Sequence, residues 1–314
     1  MARTAAATIA AREEVLKAIS GRRRDIGSTI FQLVLLLTLF LALAVLLLLL
    51  AQVTLKALPV LQDRGGQILS SGYSALPERA GVRYGIVGSL FLMVFVAAIA
   101  FPLGIGAAVY MEEYARDSRL TRIINANIRN LAGVPAIVYG IFGLAIFVEL
   151  LGNVTGPDVE GQSLLSGGLT IAIMVLPITI ITTAESLRAV PRGIREAGFG
   201  VGATRWEVIR SHVLPNAAPG ILTGSVLAMA RALGETAPLI MVGAVTGFLS
   251  TGGGFGDTIQ GHFTALPTLI FAFTKKSQAE FQEVAAAAIL VLMVTIFLVN
   301  LTAIILRNRY ERKW

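Results

Sequence analysis

The longest uncharged apolar run of the sequence covers residues 26–55. A membrane-spanning helix needs about 20 such residues, because each residue advances a helix by about 1.5 Å and the hydrocarbon layer is about 30 Å thick. The composition agrees with this feature. The chain is 55% hydrophobic and 14% charged, with a mean hydropathy of +0.76, whereas a soluble domain carries about 25% charged residues. The sequence therefore predicts an all-α integral membrane protein.

Further apolar segments of spanning length follow along the chain. The predicted spans are residues 26–55, 84–111, 130–148, 161–184, 219–245 and 284–306. The segment 219–245 is interrupted by Arg231 and Glu235. Dividing it at this point would give a seventh span.

Lysine and arginine residues decide the orientation, since they collect on the cytoplasmic side of a membrane protein. They concentrate in the N-terminal tail, in the loop after the second span, around residues 185–216 and in the C-terminal tail. Six spans with both termini in the cytoplasm satisfy this rule, whereas a seventh span would place the basic C-terminus outside. The same distribution explains the net charge of +7 without nucleic acid.

The predicted domains follow from these spans. Residues 1–27 form a basic cytoplasmic tail, 28–306 the transmembrane bundle and 307–314 a second basic cytoplasmic tail. The first tail carries Arg22, Arg23 and Arg24, and no small-residue cleavage site follows it. This pattern predicts a retained tail and not a cleaved signal peptide.

A polar island at residues 191–215 interrupts the apolar sequence. Pro191 is suited to the start of a helix, and Gly202 to a left-handed helix end. Thr204 and Glu207 have the spacing of a capping box, in which each side chain accepts from the other residue's backbone N–H. Pro215 is expected to end a second helix. The island is thus predicted to be a stiff cytoplasmic loop, which on these grounds alone need have no special role.

Arg231 and Glu235 are the charged pair within a predicted span. At a spacing of four residues they share one helix face, about 18 Å along a helix counted from Pro219. A charge at this depth costs about 2.5–3.5 kcal/mol on insertion scales. Two roles are open: a structural ion pair, or a guanidinium that faces an aqueous path and pairs with an anion in transit. Arginine suits an oxyanion because its planar fork donates two parallel hydrogen bonds.

The island also resembles the EAA loop of ABC-importer permeases, which has the form E-A-A-x3-G-x9-I-x-L-P. Glu196, Ala197 and Gly202 match, as does the closing pair Leu214 and Pro215. Two positions depart from the form: Gly198 replaces the second alanine and His212 stands where isoleucine is usual. The glycine lowers local helix stability by about 1 kcal/mol.

Other segments narrow the resemblance to the permease subunits of phosphate importers, the PstA family. They are residues 85–89, 102–114, 131–140 and 230–239, and the likeness covers about residues 85–306. It implies a type I ABC importer permease of the bacterial inner membrane. Its implied partners are a related permease, an ATPase dimer and a periplasmic phosphate-binding protein.

The resemblance also implies roles for particular residues. The coupling loop, residues 185–216, would contact the ATPase; its expected coupling residues are Arg195, Glu196, Ala197, Gly198, Gly202, Leu214 and Pro215. The expected substrate-pathway residues are Arg231, Glu235 and Thr236. ATP and magnesium would bind to the partner ATPase, because this sequence has no phosphate-cradling G-x4-G-K-[ST] motif.

Other functions remain open on the sequence alone. The loop fits a permease for another oxyanion or polar solute equally well. An ATPase-independent secondary transporter would be expected to show inverted repeats or several membrane acids, which we do not find. An enzyme is disfavoured, since no nucleophile–base pair, cofactor motif or metal-ligand spacing is present, and the chain has no cysteine.

Overall fold

The computed structural model describes residues 26–244, 247–250 and 253–310. Most of the predicted tail 1–27 and the last four residues of the tail 307–314 lie outside the described residues. Two units can be distinguished, residues up to Gln52 and residues from Val53 onward. The described part of the first unit is the start of a single long helix, apolar on all faces as expected for a segment surrounded by lipid.

The described residues are mostly helical and contain no strand. The helices are α1 Ile26–Arg64, α2 Gln67–Ser70, α3 Arg83–Val109, α4 Arg119–Ala132, α5 Ala136–Gly143, α6 Gly152–Thr155, α7 Leu164–Ala189, α8 Arg192–Gly200, α9 Arg205–Val208, α10 Leu214–Gly234, α11 Ala237–Met241, α12 Phe255–Gln260, α13 Leu266–Thr274 and α14 Ala279–Tyr310. Three π-helical turns, Tyr110–Tyr114, Leu144–Leu150 and Ile209–Val213, continue α3, α5 and α9. Such wide turns are rare and often lie near functional sites.

Five helices of the described chain are long and apolar enough to cross a membrane, and a bent pair can supply a sixth span. The five are Ile26–Arg64, Arg83–Tyr114, Leu164–Ala189, Arg205–Gly234 and Ala279–Thr302. This agrees with the predicted all-α membrane bundle, although the helices extend beyond most of the predicted spans.

The predicted third span, residues 130–148, is wrong as a straight helix. Helix α4 and the helix Ala136–Leu150 meet at an angle of 102°. Pro135 lies at the corner and disfavours helical backbone at the residue before it. Helix α4 is amphipathic and has no buried residue. Of the two helices of the bent pair, only Ala136–Leu150 is therefore apolar along most of its length.

The predicted end of a helix at Pro215 is also wrong. Helix α10 begins at Leu214 and continues directly from the π-turn, with Pro215 in its first turn. A proline is tolerated there because the first N–H groups of a helix lack intrahelical acceptors. The predicted span 219–245 is broken at its other end, since α10 stops at Gly234 and α11 starts at Ala237. Val245 lies outside the described residues.

Small residues bring α10 close to α7 in the second unit. A side chain at Gly220 would collide with Ser186, and one at Gly224 with Thr182, so these two glycines allow the helices to approach closely. The hydroxyls of Thr182 and Ser186 donate to the carbonyls of Ile178 and Thr182 in their own helix. They are therefore satisfied without water.

Candidate coupling loop and charged pair

Residues 185–216, the candidate coupling loop, form an elbow from the last turn of α7 to the first turn of α10. Helix α8 starts directly after Pro191, and Gly202 adopts a left-handed conformation with φ of +82°, which glycine reaches without strain. The backbone N–H of Thr204 donates to Glu207 Oε2 at 2.7 Å, and the N–H of Glu207 donates to Thr204 Oγ1 at 3.4 Å. The predicted helix start, left-handed end and capping box are all confirmed.

Gly198 is where the two arms of the elbow meet. It is the buried residue of α8, and a Cβ at this position would lie 2.7 Å from Val208 Cγ2. Val208 belongs to an apolar cluster with Ile209 and Val213. The cluster also includes Leu187 and the C-terminal end of α3, called its inner end below. The glycine that departs from the EAA form therefore permits a close contact that holds α8 on α9.

The opposite side of the elbow is open. Glu196 and Ala197 are exposed, and Val201 and Trp206 expose 85% and 53% of their surface. A groove of about 460 Å³ runs beside Ala197 and Gly198 and is also lined by Val201 and His212. Exposed apolar groups next to a free carboxylate are typical of a protein-contact surface.

Arg195 lines a second pocket, together with Glu113 and Glu196. Its Nη2 donates to Glu113 Oε1 at 2.7 Å, while Nη1 and Nη2 donate to the carbonyls of Val190 and Leu187, each at 2.9 Å. The arginine thus connects α8 with the π-turn at the end of α3 and with the last carbonyls of α7. Leu214 is half-buried against the same inner cluster, and Pro215 is exposed.

Glu112, next to Glu113, makes a second contact of this kind. Its two carboxylate oxygens accept from Nε and Nη2 of Arg188, the former at 2.8 Å. Sequence reasoning missed both acidic partners, because they lie 76 and 82 residues from their arginines. Their signal was the position of two adjacent acids directly after an apolar span.

The charged pair lies where α10 ends. Arg231 is in the last turn of the helix, and Glu235 is the first residue beyond it, with extended backbone. Arg231 Nε donates to Glu235 Oε1 at 3.2 Å, and their side chains are 38% and 23% exposed. The predicted shared helix face is therefore replaced by an arginine paired across a helix end. Thr236 follows, half-buried, and its carbonyl accepts from Ile240 in α11.

The guanidinium of Arg231 belongs to an open stripe of α10. The exposed or half-exposed residues of this stripe are Thr223, Leu227, Arg231 and Gly234. The adjacent Ala228 and Ala232 are buried in the main core instead. On α14, the exposed residues of the stretch around Met293, Phe297 and Leu301 are bulky and apolar. The α10 stripe differs from this surface by Thr223, Arg231 and Gly234, and the side chain of Arg231 is not sealed among hydrocarbon side chains.

Metal ligands do not cluster in the described part of the chain. No group of three or more histidine, cysteine, aspartate or glutamate side chains is close enough there to hold a metal ion. The arrangement offers an accessible cation, Arg231, at one end of α10 and an exposed elbow with the carboxylate of Glu196 at the other.

Comparison with known proteins identifies the fold and the relatives. Residues 100–313 match the family described as binding-protein-dependent transport system inner membrane component. The phosphate transport system permease protein PstA 1 of Mycobacterium tuberculosis (strain ATCC 25618 / H37Rv) is 33% identical over 78% of this chain and 76% of its own length.

Two further matches agree with this one. The probable ABC transporter permease protein YqgI of Bacillus subtilis (strain 168) is 33% identical over 57% of this chain, and the match spans 59% of that relative. A solved bacterial alginate ABC transporter, in complex with an alginate pentasaccharide-bound periplasmic protein, superposes with a TM-score of 0.62. It is 15% identical and covers 91% of this chain and 96% of its own. At this identity the structural likeness indicates a shared fold only.

Proposed function

Since this chain belongs to the family of binding-protein-dependent transport system inner membrane components, we propose that it is a permease subunit of an ATP-driven phosphate importer. It would form half of the translocation path and contact a separate ATPase through residues 185–216. The phosphate relative with 33% identity supports the substrate, and the multi-pass helices fit a bacterial inner membrane protein.

The observation that carries the phosphate assignment is the accessible guanidinium of Arg231. Its side chain is 38% exposed, and Glu235 accepts from its Nε at 3.2 Å. A guanidinium has five N–H donors, so it can also offer a pair of parallel hydrogen bonds to an oxyanion. Arg231 would bind phosphate in transit, with Glu235 as its resting counterion and Thr236 beside it.

The elbow would transmit the conformational change of the ATPase to the membrane helices. We assign ATPase contact to Glu196 and Ala197, which are exposed, and to the groove beside Gly198. Gly202 and the pair Leu214 and Pro215 would set the angle of the elbow. Magnesium and ATP belong to the ATPase partner in this assignment, and this chain is not the hydrolase.

The proposed assembly contains a second, PstC-like permease, a PstB-like ATPase dimer and a PstS-like periplasmic phosphate-binding protein. The permease domain would cover residues 28–306, with both tails in the cytoplasm. An ATPase-independent transporter is disfavoured by the family, whose description includes a separate binding protein.

Reconstitution of this complex in proteoliposomes tests the proposal. We expect ATP hydrolysis and uptake to rise with phosphate-loaded binding protein and to stay at the basal level with sulfate or molybdate. If a different anion stimulates hydrolysis and uptake, that anion is the substrate and phosphate is not, while the assignment as a permease stands. Uptake that proceeds without any ATPase subunit would contradict the assignment itself.

A further inference from the structure

Two adjacent carboxylates at the inner end of α3 are held by arginines from two different elements. Glu112 pairs with Arg188, which lies in the last turn of α7. Glu113 pairs with Arg195 of α8, with N–O distances of 2.7 Å and 3.2 Å. The π-turn Tyr110–Tyr114 carries both acids, so one wide helical turn is connected to the end of one membrane helix and to the elbow.

Arg195 donates to four oxygen atoms of three residues and uses all three of its side-chain nitrogens. Besides Glu113, it donates to the carbonyls of Leu187 and Val190, which lie at the end of α7, where the last carbonyls of a helix lack intrahelical donors. A lysine could not make this set of contacts, since it lacks the rigid planar fork. Arg195 therefore holds the ends of α3 and α7 and the start of α8 in one arrangement.

Burial distinguishes this contact from an ordinary surface ion pair. The side chains of Arg195 and Glu113 are only 20% and 10% exposed. Arg122 and Asp117, a few residues further along the chain, are 72% and 89% exposed at 3.7 Å. An exposed ion pair contributes little to the free energy of unfolding. Removing one partner of a largely buried pair leaves an uncompensated charge, which is destabilising. The Glu113–Arg195 contact is thus far more buried than the Arg122–Asp117 pair.

We propose that the Glu113–Arg195 pair, supported by Glu112–Arg188, is a tether that makes the elbow and the inner end of α3 move as one body. In this proposal, which rests on the proposed function, Arg195 is a positioning residue and not a contact to the ATPase. ATP-driven motion of the elbow would reach α3 through the tether as well as α10 through the continuous helix Arg205–Gly234. Both membrane helices would then turn together.

The first test compares Glu113→Gln with the matched variant Asp117→Asn in the complete reconstituted complex. Each substitution removes one carboxylate from an arginine, but only the first breaks the buried contact. We expect Glu113→Gln to lower phosphate uptake per ATP hydrolysed by about tenfold or more, with the ATPase still bound and hydrolysing. Asp117→Asn is expected to leave this ratio unchanged. Equal ratios for the two variants would overturn the tether.

A cross-link provides the second test, because the chain has no cysteine of its own. Glu113→Cys with Arg195→Cys should be uncoupled when reduced, and a short bifunctional thiol reagent should restore coupling by replacing the tether. A reduced double variant with normal coupling would show that the tether is not needed. A cross-linked complex that is inactive would show that the elbow must separate from α3 during the cycle.

A measurement that does not involve phosphate tests the tether independently of the assigned substrate. Two single-cysteine variants report the two helices: Leu227→Cys on α10, and Leu103→Cys on α3, where the leucine is 60% exposed. ATP should change the thiol reactivity of both variants. Adding Glu113→Gln should reduce the change at the α3 thiol. If the unmodified complex fails to take up phosphate, the substrate assignment fails while this comparison still tests the tether. If uptake is normal and the α3 signal survives Glu113→Gln, the tether fails alone.

Discussion

Gly198 lies against Val208 so closely that a Cβ on the glycine would be 2.7 Å from Val208 Cγ2. Val208 is buried, and its β-branched side chain has few alternative rotamers. The position that departs from the EAA form is therefore the point where α8 and α9 fit together. An alanine there would favour the isolated helix by about 1 kcal/mol, but the contact with Val208 would oppose it.

We predict that Gly198→Ala weakens the elbow, because overpacking costs about 1–3 kcal/mol and exceeds the gain in helix propensity. The measurement is limited proteolysis of residues 185–216 in the purified complex, together with retention of the ATPase. Val208→Ala should rescue the variant by removing the colliding methyl groups. Faster proteolysis of the double variant than of Gly198→Ala would contradict this fit.

Replacing the pathway cation tests the role of Arg231. We predict that Arg231→Gln lowers phosphate uptake by more than about tenfold, since a charge-assisted hydrogen bond contributes about 1.5–3 kcal/mol. The ATPase should still co-purify, because Arg231 lies at the far end of α10 from the elbow. Arg122→Gln, which removes an exposed arginine on the inner side, is the matched control. Equal uptake by the two variants would leave Arg231 with a structural role only.

The counterion gives an effect of opposite sign. Glu235 competes with an incoming anion for the guanidinium, so Glu235→Gln should lower the KM for the phosphate-loaded binding protein. The pair is partly exposed, and such pairs contribute about 0.2–1 kcal/mol, which corresponds to at most about a fivefold change in KM. The measurement is uptake at graded concentrations of phosphate-loaded binding protein. A lower thermal stability with an unchanged KM would indicate a structural ion pair instead.

The exposed carboxylate of the elbow should decide ATPase binding. We predict that Glu196→Lys abolishes co-purification of the ATPase while the two permeases stay together. The reason is that this side chain is exposed, so reversing its charge affects a partner more than the fold. Asp158→Lys makes the same change of charge in an exposed loop between α6 and α7 and should leave the complex intact. Undiminished ATPase recovery with Glu196→Lys would contradict the assigned contact.

Local sequence signals account for the elbow but not for what holds it. Pro191, Gly202 and the Thr204–Glu207 box are decided by residues within a few positions of one another, and all three predictions are confirmed. The partners of Arg195 could not be predicted, since Glu113 becomes its neighbour only when α3 and α7 pack together. Hydropathy likewise located apolar segments but could not detect a bend, because residues 133–135 change the backbone direction without adding charge.

The bent pair leaves one structural expectation that labelling can test. If α4 lies on the inner side and Ala136–Leu150 crosses the membrane, the ends of this pair are on opposite sides. Asp117→Cys should then react with a membrane-impermeant thiol reagent only after the cells are opened, whereas Asp158→Cys should react in intact cells. Both positions are exposed, and each introduced thiol is the only one in this chain, because the sequence has no cysteine. The helix Ala136–Leu150 is about 22 Å long at 1.5 Å per residue, shorter than the hydrocarbon layer of about 30 Å. It can complete a span only with help from the residues around it. Protection of both thiols in intact cells would make the pair a re-entrant hairpin, reduce the spans to five and place the termini on opposite sides, against the distribution of basic residues.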